Sequence, residues 1–312
     1  MASRYSLILL LAIFLSGCRP ATPPPPSLDQ TQTAPASATE STSISAKPTT
    51  VPDEVAELRN AQYQLGATDA LQVVQLTDGT FEQGTPGSDN FISIRVTDFV
   101  TLGDLNDDGT KEAVALISED YGGTGVFVFL AVYSKVDGIW TFQTSSMVDD
   151  RPQLNAFSIE NDEIFLDAVI HGIDEPMCCP TLRTTRRYRF VDNLLEMIDY
   201  TTFTPDGQPR TILIESPADG SEVFTSILIQ GRVAIAPFEN NLVYRIYDVS
   251  GIELSAGAIT VSAPDLGAPG TFDAVIPLGN TLSGAIIRVE VQDLSAADGS
   301  LLAMDSVELV VK

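Results

Sequence analysis

Histidine and basic side chains are scarce in this 312-residue chain. It has 1 His, and 17 Lys and Arg against 42 Asp and Glu, for a formal net charge of −25. So few cations cannot neutralise a series of phosphates, which excludes nucleic acid as a partner and argues against docking on anionic lipid headgroups. A serine-hydrolase triad would have to use His171 as its base, but no Gly-x-Ser-x-Gly motif accompanies it. We therefore expect His171 to be a loop or strand-end residue.

Cysteine is nearly absent too, and one of the three cysteines has a distinctive position. Cys18 follows Leu15-Ser16-Gly17 at the end of the apolar run 5–14, which Arg4 precedes. A positive start, a short apolar run and small residues are the parts of a secretory signal, and the run is too short to span a bilayer. The segment resembles the lipobox of bacterial lipoproteins, which implies cleavage before Cys18 and lipidation of its thiol. An ordinary signal peptide with an incidental cysteine is the alternative.

Residues 18–52 contain almost no large apolar side chain. They are mostly Pro, Thr, Ser and Ala, with four consecutive prolines at 23–26. Such a segment buries too little surface to offset its ordering entropy, so we expect a disordered linker, either a spacer or a tolerated tail. The predicted order is a signal peptide at 1–17 and a linker at 18–52. The predicted location is outside the cell, lipid-anchored to the outer face of the cytoplasmic membrane, or to an outer membrane where one exists.

Long amphipathic helices are also missing. Residues 53–60 have an acidic first turn and favour one short helix. The following chain alternates apolar and polar residues or is β-branched, which predicts strands. These are residues 91–100, 112–117, 126–136, 140–145, 157–159, 164–170, 184–190 and 194–200. Asp78-Gly79 and Asp137-Gly138 suit tight hairpins. We predict a mainly β protein whose first domain, 53–203, is antiparallel with that single helix.

A turn-rich stretch at 204–209 marks a boundary, and seven short strands follow. We place these strands at 212–215, 226–233, 241–248, 252–261, 270–276, 285–293 and 302–311. Their number and spacing are typical of an immunoglobulin-like β-sandwich, here without a cysteine pair between its sheets. The second predicted domain is therefore residues 210–312.

This second domain resembles the immunoglobulin-like module of bacterial spore-germination proteins and related envelope lipoproteins. The resemblance rests on Ile214-Glu215-Ser216-Pro217, Asp219-Gly220-Ser221, residues 227–231, residues 236–241, Tyr247-Asp248, Gly251, Gly270-Thr271-Phe272 and residues 295–300. In such a module we expect Gly231 to allow a close approach between strands and Phe238 to fill the sandwich. These motifs specify a fold and no chemistry, and they do not imply sporulation.

One loop has a spacing that suits calcium. Asp104, Asn106 and Asp108 offer side-chain oxygens at loop positions 1, 3 and 5, Gly109 follows, and the Thr110 carbonyl and the Glu112 carboxylate complete the set. Position 12 of an EF-hand loop would be Glu, but it is Ala115 here. Glu112 at position 9 makes the loop resemble the calcium loops of integrin-type and dockerin-type repeats, which implies a structural ion. The alternative is a polar hairpin whose side chains cap backbone N–H groups.

The other two cysteines, Cys178 and Cys179, are adjacent. Outside the cytoplasm they should oxidise, and we expect a disulfide between them; a covalent dimer, a redox switch and free thiols are the alternatives.

Basic residues are concentrated in one short segment. On a strand Arg183, Arg187 and Arg189 share one face and Arg186 lies on the other. We expect them to pair with carboxylates; the alternative is a small patch that recognises an anionic glycan or wall polymer.

Two further segments invite functional readings. A phosphate loop at 122–125 would need a following helix, but a strand follows, so we predict a hairpin or bulge. Asp149-Asp150-Arg151 is predicted to be a salt-bridged turn.

These features favour a membrane-anchored binding or scaffold module at the cell envelope, without catalytic residues. Its partners would be the membrane, through the lipid, and an envelope protein or cell-wall polymer. The alternative is an enzyme acting on cell wall or glycan, or its accessory subunit, that uses acids such as Asp149 or Asp174. An open cleft with two facing carboxylates would favour the enzyme.

Overall fold

The computed structural model describes residues 53–68, 71–279 and 283–312 and is mainly β, as the sequence predicts. Cys18 and the predicted signal peptide and linker lie outside the described residues. The N-terminal elements are α1 (Asp53–Leu58), β1 (Gln62–Gln64), β2 (Val73–Gln75), β3 (Thr80–Gln83), β4 (Ile92–Gly103), β5 (Glu112–Asp120), β6 (Phe127–Val136), β7 (Ile139–Asp150), β8 (Gln153–Glu160), β9 (Glu163–Ile170), β10 (Leu182–Val191) and β11 (Leu194–Phe203). No helix in the described part of the chain is long and apolar enough to cross a membrane.

A five-stranded antiparallel meander, β3 to β7, is the middle layer of the N-terminal part. One face packs on α1 and the β1–β2 hairpin, and the other packs on the meander β8 to β11. Because β5 is covered on both faces, its residues 113–117 are all buried, and its sequence is continuously apolar instead of alternating.

Glu119 ties the N-terminal segment to this middle layer. Its carboxylate is fully buried and accepts hydrogen bonds from Tyr63 Oη at 2.6 Å, Tyr121 Oη at 2.6 Å and the backbone N–H groups of Gly66 and Ala67 at 2.7 and 3.0 Å. Four donors compensate for the lost hydration of a buried charge. Glu119 therefore has a structural role.

Residues 209–312 form a two-sheet sandwich. Its elements are β12 (Pro209–Arg210), β13 (Ile212–Ser216), β14 (Ser221–Val223), β15 (Ser226–Val233), a 3-10 turn (Phe238–Asn240), β16 (Asn241–Asp248), β17 (Glu253–Ser262), β18 (Gly270–Pro277), β19 (Ile286–Leu294) and β20 (Leu301–Val311). β17 pairs with β16 along most of its length and with β18 at its end, so it links the two sheets. All seven predicted strands are present, and the short strands β12 and β14 are additions.

Two expectations for the sandwich have opposite outcomes. A Cβ on Gly231 would lie 2.2 Å from the Leu213 carbonyl oxygen, so the expected close approach is confirmed. Phe238 was expected to fill the core, and this is wrong. Phe238 is 66 % exposed and lies in the 3-10 turn that precedes β16, so its side chain is not part of the core.

The predicted boundary at 204–209 is a tight turn within one continuous sheet. β11 of the first domain pairs antiparallel with β20 of the second, with Asp199 opposite Asp305 and Thr201 opposite Ala303. Thr202 Oγ1 also donates to the Leu302 carbonyl at 2.7 Å. Backbone pairing across the boundary joins the two domains in one compact unit.

A cleft at the domain seam as the candidate functional site

An open cleft of about 610 Å³ lies where the two domains join. β7, β9, β10 and β11 contribute most of its walls, and Leu301 at the start of β20 and the preceding Ser300 complete them. Its lining is mostly apolar and includes Ile170, Leu182, Leu195 and Met197. A largely apolar concavity of this size, with a few polar groups, is typical of a small-molecule site.

His171 is one of the polar groups in this cleft. It directly follows β9, and Asp149 Oδ2 accepts both its backbone N–H at 2.7 Å and its ring Nδ1–H at 2.9 Å. Since Nδ1 is held by this carboxylate, Nε2 is the ring nitrogen left for another partner. Nε2 is buried and has no hydrogen-bond partner among the described residues, and the side chain is only 7 % exposed.

Arg186 is the second polar group. It lies on β10, is 6 % exposed, and donates from Nη1 to the Val148 carbonyl at 3.1 Å. Its guanidinium also lies 5.5 Å from the ring centroid of Tyr200. Within the described chain no carboxylate hydrogen-bonds with Arg186, and its Nε has no hydrogen-bond partner. Tyr188 also hydrogen-bonds with Arg186, and Tyr200 and Asp149 act on it electrostatically.

The other three arginines of this segment behave as expected. Arg183 pairs with Asp167 at 2.8 Å, and Arg187 pairs with Glu163 at 3.2 Å. Arg189 contacts two carboxylates, Glu196 at 2.8 Å and Glu308 at 2.7 Å, the latter across the domain seam. These pairs satisfy the guanidinium groups on one face of β10. Arg186, on the opposite face, is the exception.

The arrangement suits binding of an anion. Arginine keeps its charge, and burial strengthens its attraction for an acceptor. No carboxylate is among the described residues that line the cleft. Asp149 lies behind His171 with Oδ2 occupied, and Asp174 is exposed on the loop after β9, so this cleft does not offer two facing carboxylates.

The predicted calcium loop joins β4 to β5. Its side-chain oxygens turn inward onto the loop's own backbone: Asp104 accepts from Gly109 N–H at 2.9 Å, Asn106 from Asp108 N–H at 3.1 Å and Asp108 from Thr110 N–H at 2.7 Å. Ala115, at position 12, is buried in β5 and offers no side-chain oxygen.

Glu112 lies beneath this loop and is 1 % exposed. Its Oε2 accepts from Leu105 N–H at 2.9 Å. Burial raises the pKa of Glu112, and the nearby Asp108 and Asp104 carboxylates raise it further. Asp104 Oδ1 is buried without a partner in the described chain. A cation would relieve both features. Among the described residues, however, no three His, Cys, Asp or Glu side chains already converge as a metal site.

The remaining candidate residues have structural positions. Cys178 and Cys179 are joined by a disulfide in the β9–β10 loop, the loop that also supplies Gly172 and Ile173 to the cleft. Residues 122–125 connect β5 to β6, two antiparallel strands, and no helix follows them.

The Asp149-Asp150-Arg151 corner is the predicted salt-bridged turn. Arg151 donates to both Asp150 oxygens at 3.0 and 2.9 Å. This hydrogen bonding is the largest cause that lowers the pKa of Asp150.

Comparison with known families agrees with the architecture of the second domain. The model of a family described as the immunoglobulin-like domain of bacterial spore germination matches residues 211–300. No curated protein matches the chain. The match covers the sandwich from β13 to the end of the loop before β20, and it does not reach the β7 to β11 segments that form most of the cleft.

Sequence reasoning missed the cleft itself. It took His171 for an unremarkable strand-end residue and treated all four arginines as ion-paired. The one available signal was the alternation of β10, which separates Arg186 from Arg183, Arg187 and Arg189. Nothing in the sequence shows that Arg186, His171 and the start of β20 meet.

Proposed function

We propose that this protein is an exported lipoprotein that binds a ligand or partner at the cell envelope and does not catalyse a reaction. One observation carries the proposal: in the described chain, an apolar cleft at the seam contains a buried arginine with no carboxylate partner and a buried imidazole nitrogen with no hydrogen-bond partner. Unsatisfied polar groups of this kind are costly in a folded protein, so they mark a place where something else binds.

The seam supports a binding role because it makes the cleft rigid. The walls come from both domains, which share one sheet through β11 and β20. A site held by paired strands loses little entropy when a ligand binds, which favours affinity.

Lipidation at Cys18 accounts for the location in this proposal, and its support comes from the lipobox-like sequence. A radioactive or clickable palmitate analogue should label the wild-type protein in its native host, and Cys18→Ala should abolish the label. Unlabelled wild-type protein in the cytosolic fraction would refute the anchor.

The binding role is tested by photo-crosslinking in cells. A photo-reactive amino acid at Ile173, an exposed residue of the cleft wall, should give a specific adduct. The photo-reactive amino acid placed instead at Val275, an exposed position of β18, is the control. Equal or absent labelling at the two positions would refute the assignment of function to the cleft.

Calcium in the 104–112 loop is the structural part of the proposal. Asp104, Asn106, Asp108, the Thr110 carbonyl and Glu112 would hold the ion, and the unpaired Asp104 oxygen supports this. Calcium supplies a hard positive charge that neutralises these acids. Asp104→Asn should lower the Tm in calcium but not in chelator, whereas Asp107→Asn, an exposed neighbour, should change neither. Equal losses for Asp104→Asn in both buffers would remove the ion from the proposal.

A further inference from the structure

We infer that the cleft binds an amphiphilic acid: one anionic group contacts Arg186 and His171, and an apolar body lies along the remaining wall. This inference rests on the proposed binding function and adds the chemical class of the ligand. Neither the match of the second domain nor the calcium loop contributes to it.

The charge of the ligand follows from Arg186. Arg186 is 6 % exposed, so its guanidinium has lost most of its hydration, and no carboxylate in the described chain accepts a hydrogen bond from it. The Val148 carbonyl and the Tyr200 ring compensate for only part of this loss, and a bound anion is the partner that would remove the rest of the cost. A neutral ligand would leave the charge uncompensated.

The position of the anionic group follows from two nitrogen atoms. Arg186 Nε and His171 Nε2 are both buried, both lack partners within the described residues, and both belong to residues that line the cleft. Arginine donates to a carboxylate or phosphate in charge-assisted hydrogen bonds. His171 Nε2 is the ring nitrogen that the contact with Asp149 leaves for the polar end of the ligand.

The body of the ligand follows from the rest of the wall. Leu195 and Met197 of β11 and Leu182 of β10 are apolar, and at the edge Met147 and Ile173 are 46 and 66 % exposed. Methionine adapts to chains of varied shape. A sugar would need polar partners along its length, and this wall offers few, so the cleft favours an alkyl or aryl body over a glycan.

Calorimetry with three probes tests the inference. The full chain with Cys18→Ser, kept free of detergent, is titrated with octanoate, octyl phosphate and octanol. Charge-assisted hydrogen bonds should favour one or both acids over the alcohol by about 10- to 100-fold. The two acid arms distinguish a carboxylate ligand from a phosphate ligand.

Matched variants locate the effect. Arg186→Met should lose the preference for acids and keep octanol binding, while Arg187→Met, on the opposite face and ion-paired, should keep both. Ile173→Asp, at the exposed edge, should weaken acid binding without risk to the fold.

Two outcomes overturn the inference. Equal affinity for octanol and the acids in the wild-type protein would refute the anionic headgroup and leave the binding function standing. No binding of any probe, together with a specific crosslinked adduct from Ile173, would show that the cleft takes a ligand of another class. A missing adduct would instead refute the proposed function.

Discussion

Neutralising Asp199 should stabilise the protein above pH 7 and leave it nearly unchanged near pH 4. Asp199 on β11 lies opposite Asp305 on β20, at the seam between the domains. Burial raises the pKa of Asp199 to about 7, and the facing Asp305 carboxylate adds to the effect. Burial likewise raises the pKa of Asp305 to about 6, against hydrogen bonds from the backbone N–H groups of Ile214 and Ser306.

The sign follows from proton linkage. Since the folded protein holds these protons more tightly than the unfolded chain, the unfolding free energy decreases as pH rises from about 4 to about 7. A rise from 3.8 to about 7 corresponds to about 4 kcal/mol, because one pKa unit is worth about 1.4 kcal/mol. Both side chains keep some contact with water, so we expect Asp199→Asn to gain roughly 2 kcal/mol at pH 8.

Urea unfolding of the wild type and the variant at several pH values between 4 and 8 measures this difference. The pKa values of three other acids, Asp150, Asp167 and Glu175, are lowered, so their contribution to the unfolding free energy increases as pH rises. Only the difference in unfolding free energy between the wild type and the variant therefore reports on Asp199. Asp273→Asn, on an exposed position of β18, is the matched control and should show no such difference.

Parallel stability curves for the wild type and Asp199→Asn would refute the reasoning. They would mean that the two carboxyl groups are hydrated well enough to ionise as in the unfolded chain. A loss of stability at pH 8 would contradict it more directly, because the ionised carboxylate would then be favourable at the seam.

Three other results are expected. Glu119→Gln should lower the unfolding free energy, measured with urea, by about 3 kcal/mol, since an amide cannot accept from all four donors around this buried carboxylate. An unchanged urea midpoint would contradict the structural role of Glu119. Gly231→Ala should lower the unfolding free energy by at least about 2 kcal/mol, because the added Cβ would overlap the Leu213 carbonyl oxygen. Ser226→Ala, at an exposed position of the same strand, is the control. Unreduced mass spectrometry should find Cys178 and Cys179 linked within one peptide; free thiols or a linked dimer would contradict the pairing.

Local features of the fold could be predicted from the sequence because their causes are local. The apolar run of β5 and the alternation of β10 predict strands with defined faces. Asp78-Gly79 and Asp137-Gly138 adopt the positive φ angles of tight hairpins, at 51° and 80° and at 52° and 79°.

Features that depend on distant segments could not be predicted. The pairing of β11 with β20 joins residues about a hundred positions apart, and no periodicity encodes such a register. The short strands β1 and β2 escaped notice because three residues are too few to show alternation. Phe238 was misplaced for a related reason, since its spacing gives its position in the chain but not the direction of the turn.

The candidate site is harder to predict than the fold. Asp149 and His171 are 22 residues apart, and they meet because β7 and β9 lie close together. Alternation does place Arg186 alone on one face of β10. Alternation does not show that no carboxylate pairs with Arg186 on this face. The missing carboxylate is what makes Arg186 a candidate for ligand binding.

Arg186 also allows a test that needs no ligand. Arg186→Met should raise the unfolding free energy by about 1–2 kcal/mol, because an apolar side chain of similar length suits this wall better than an unpaired charge. Loss of the hydrogen bond to the Val148 carbonyl and of the contact with Tyr200 offsets part of the gain. Urea unfolding at pH 7 measures the change.

Arg189→Met, on the opposite face of β10, is the matched comparison and should lower the unfolding free energy. It removes the partner of Glu196 and Glu308, so two acidic groups would face each other across the seam without compensation. If Arg186→Met lost as much stability as Arg189→Met, Arg186 would be a structural residue. The argument for an anionic ligand would then lose its foundation, since stability sacrificed at one position is what marks that position as a binding site.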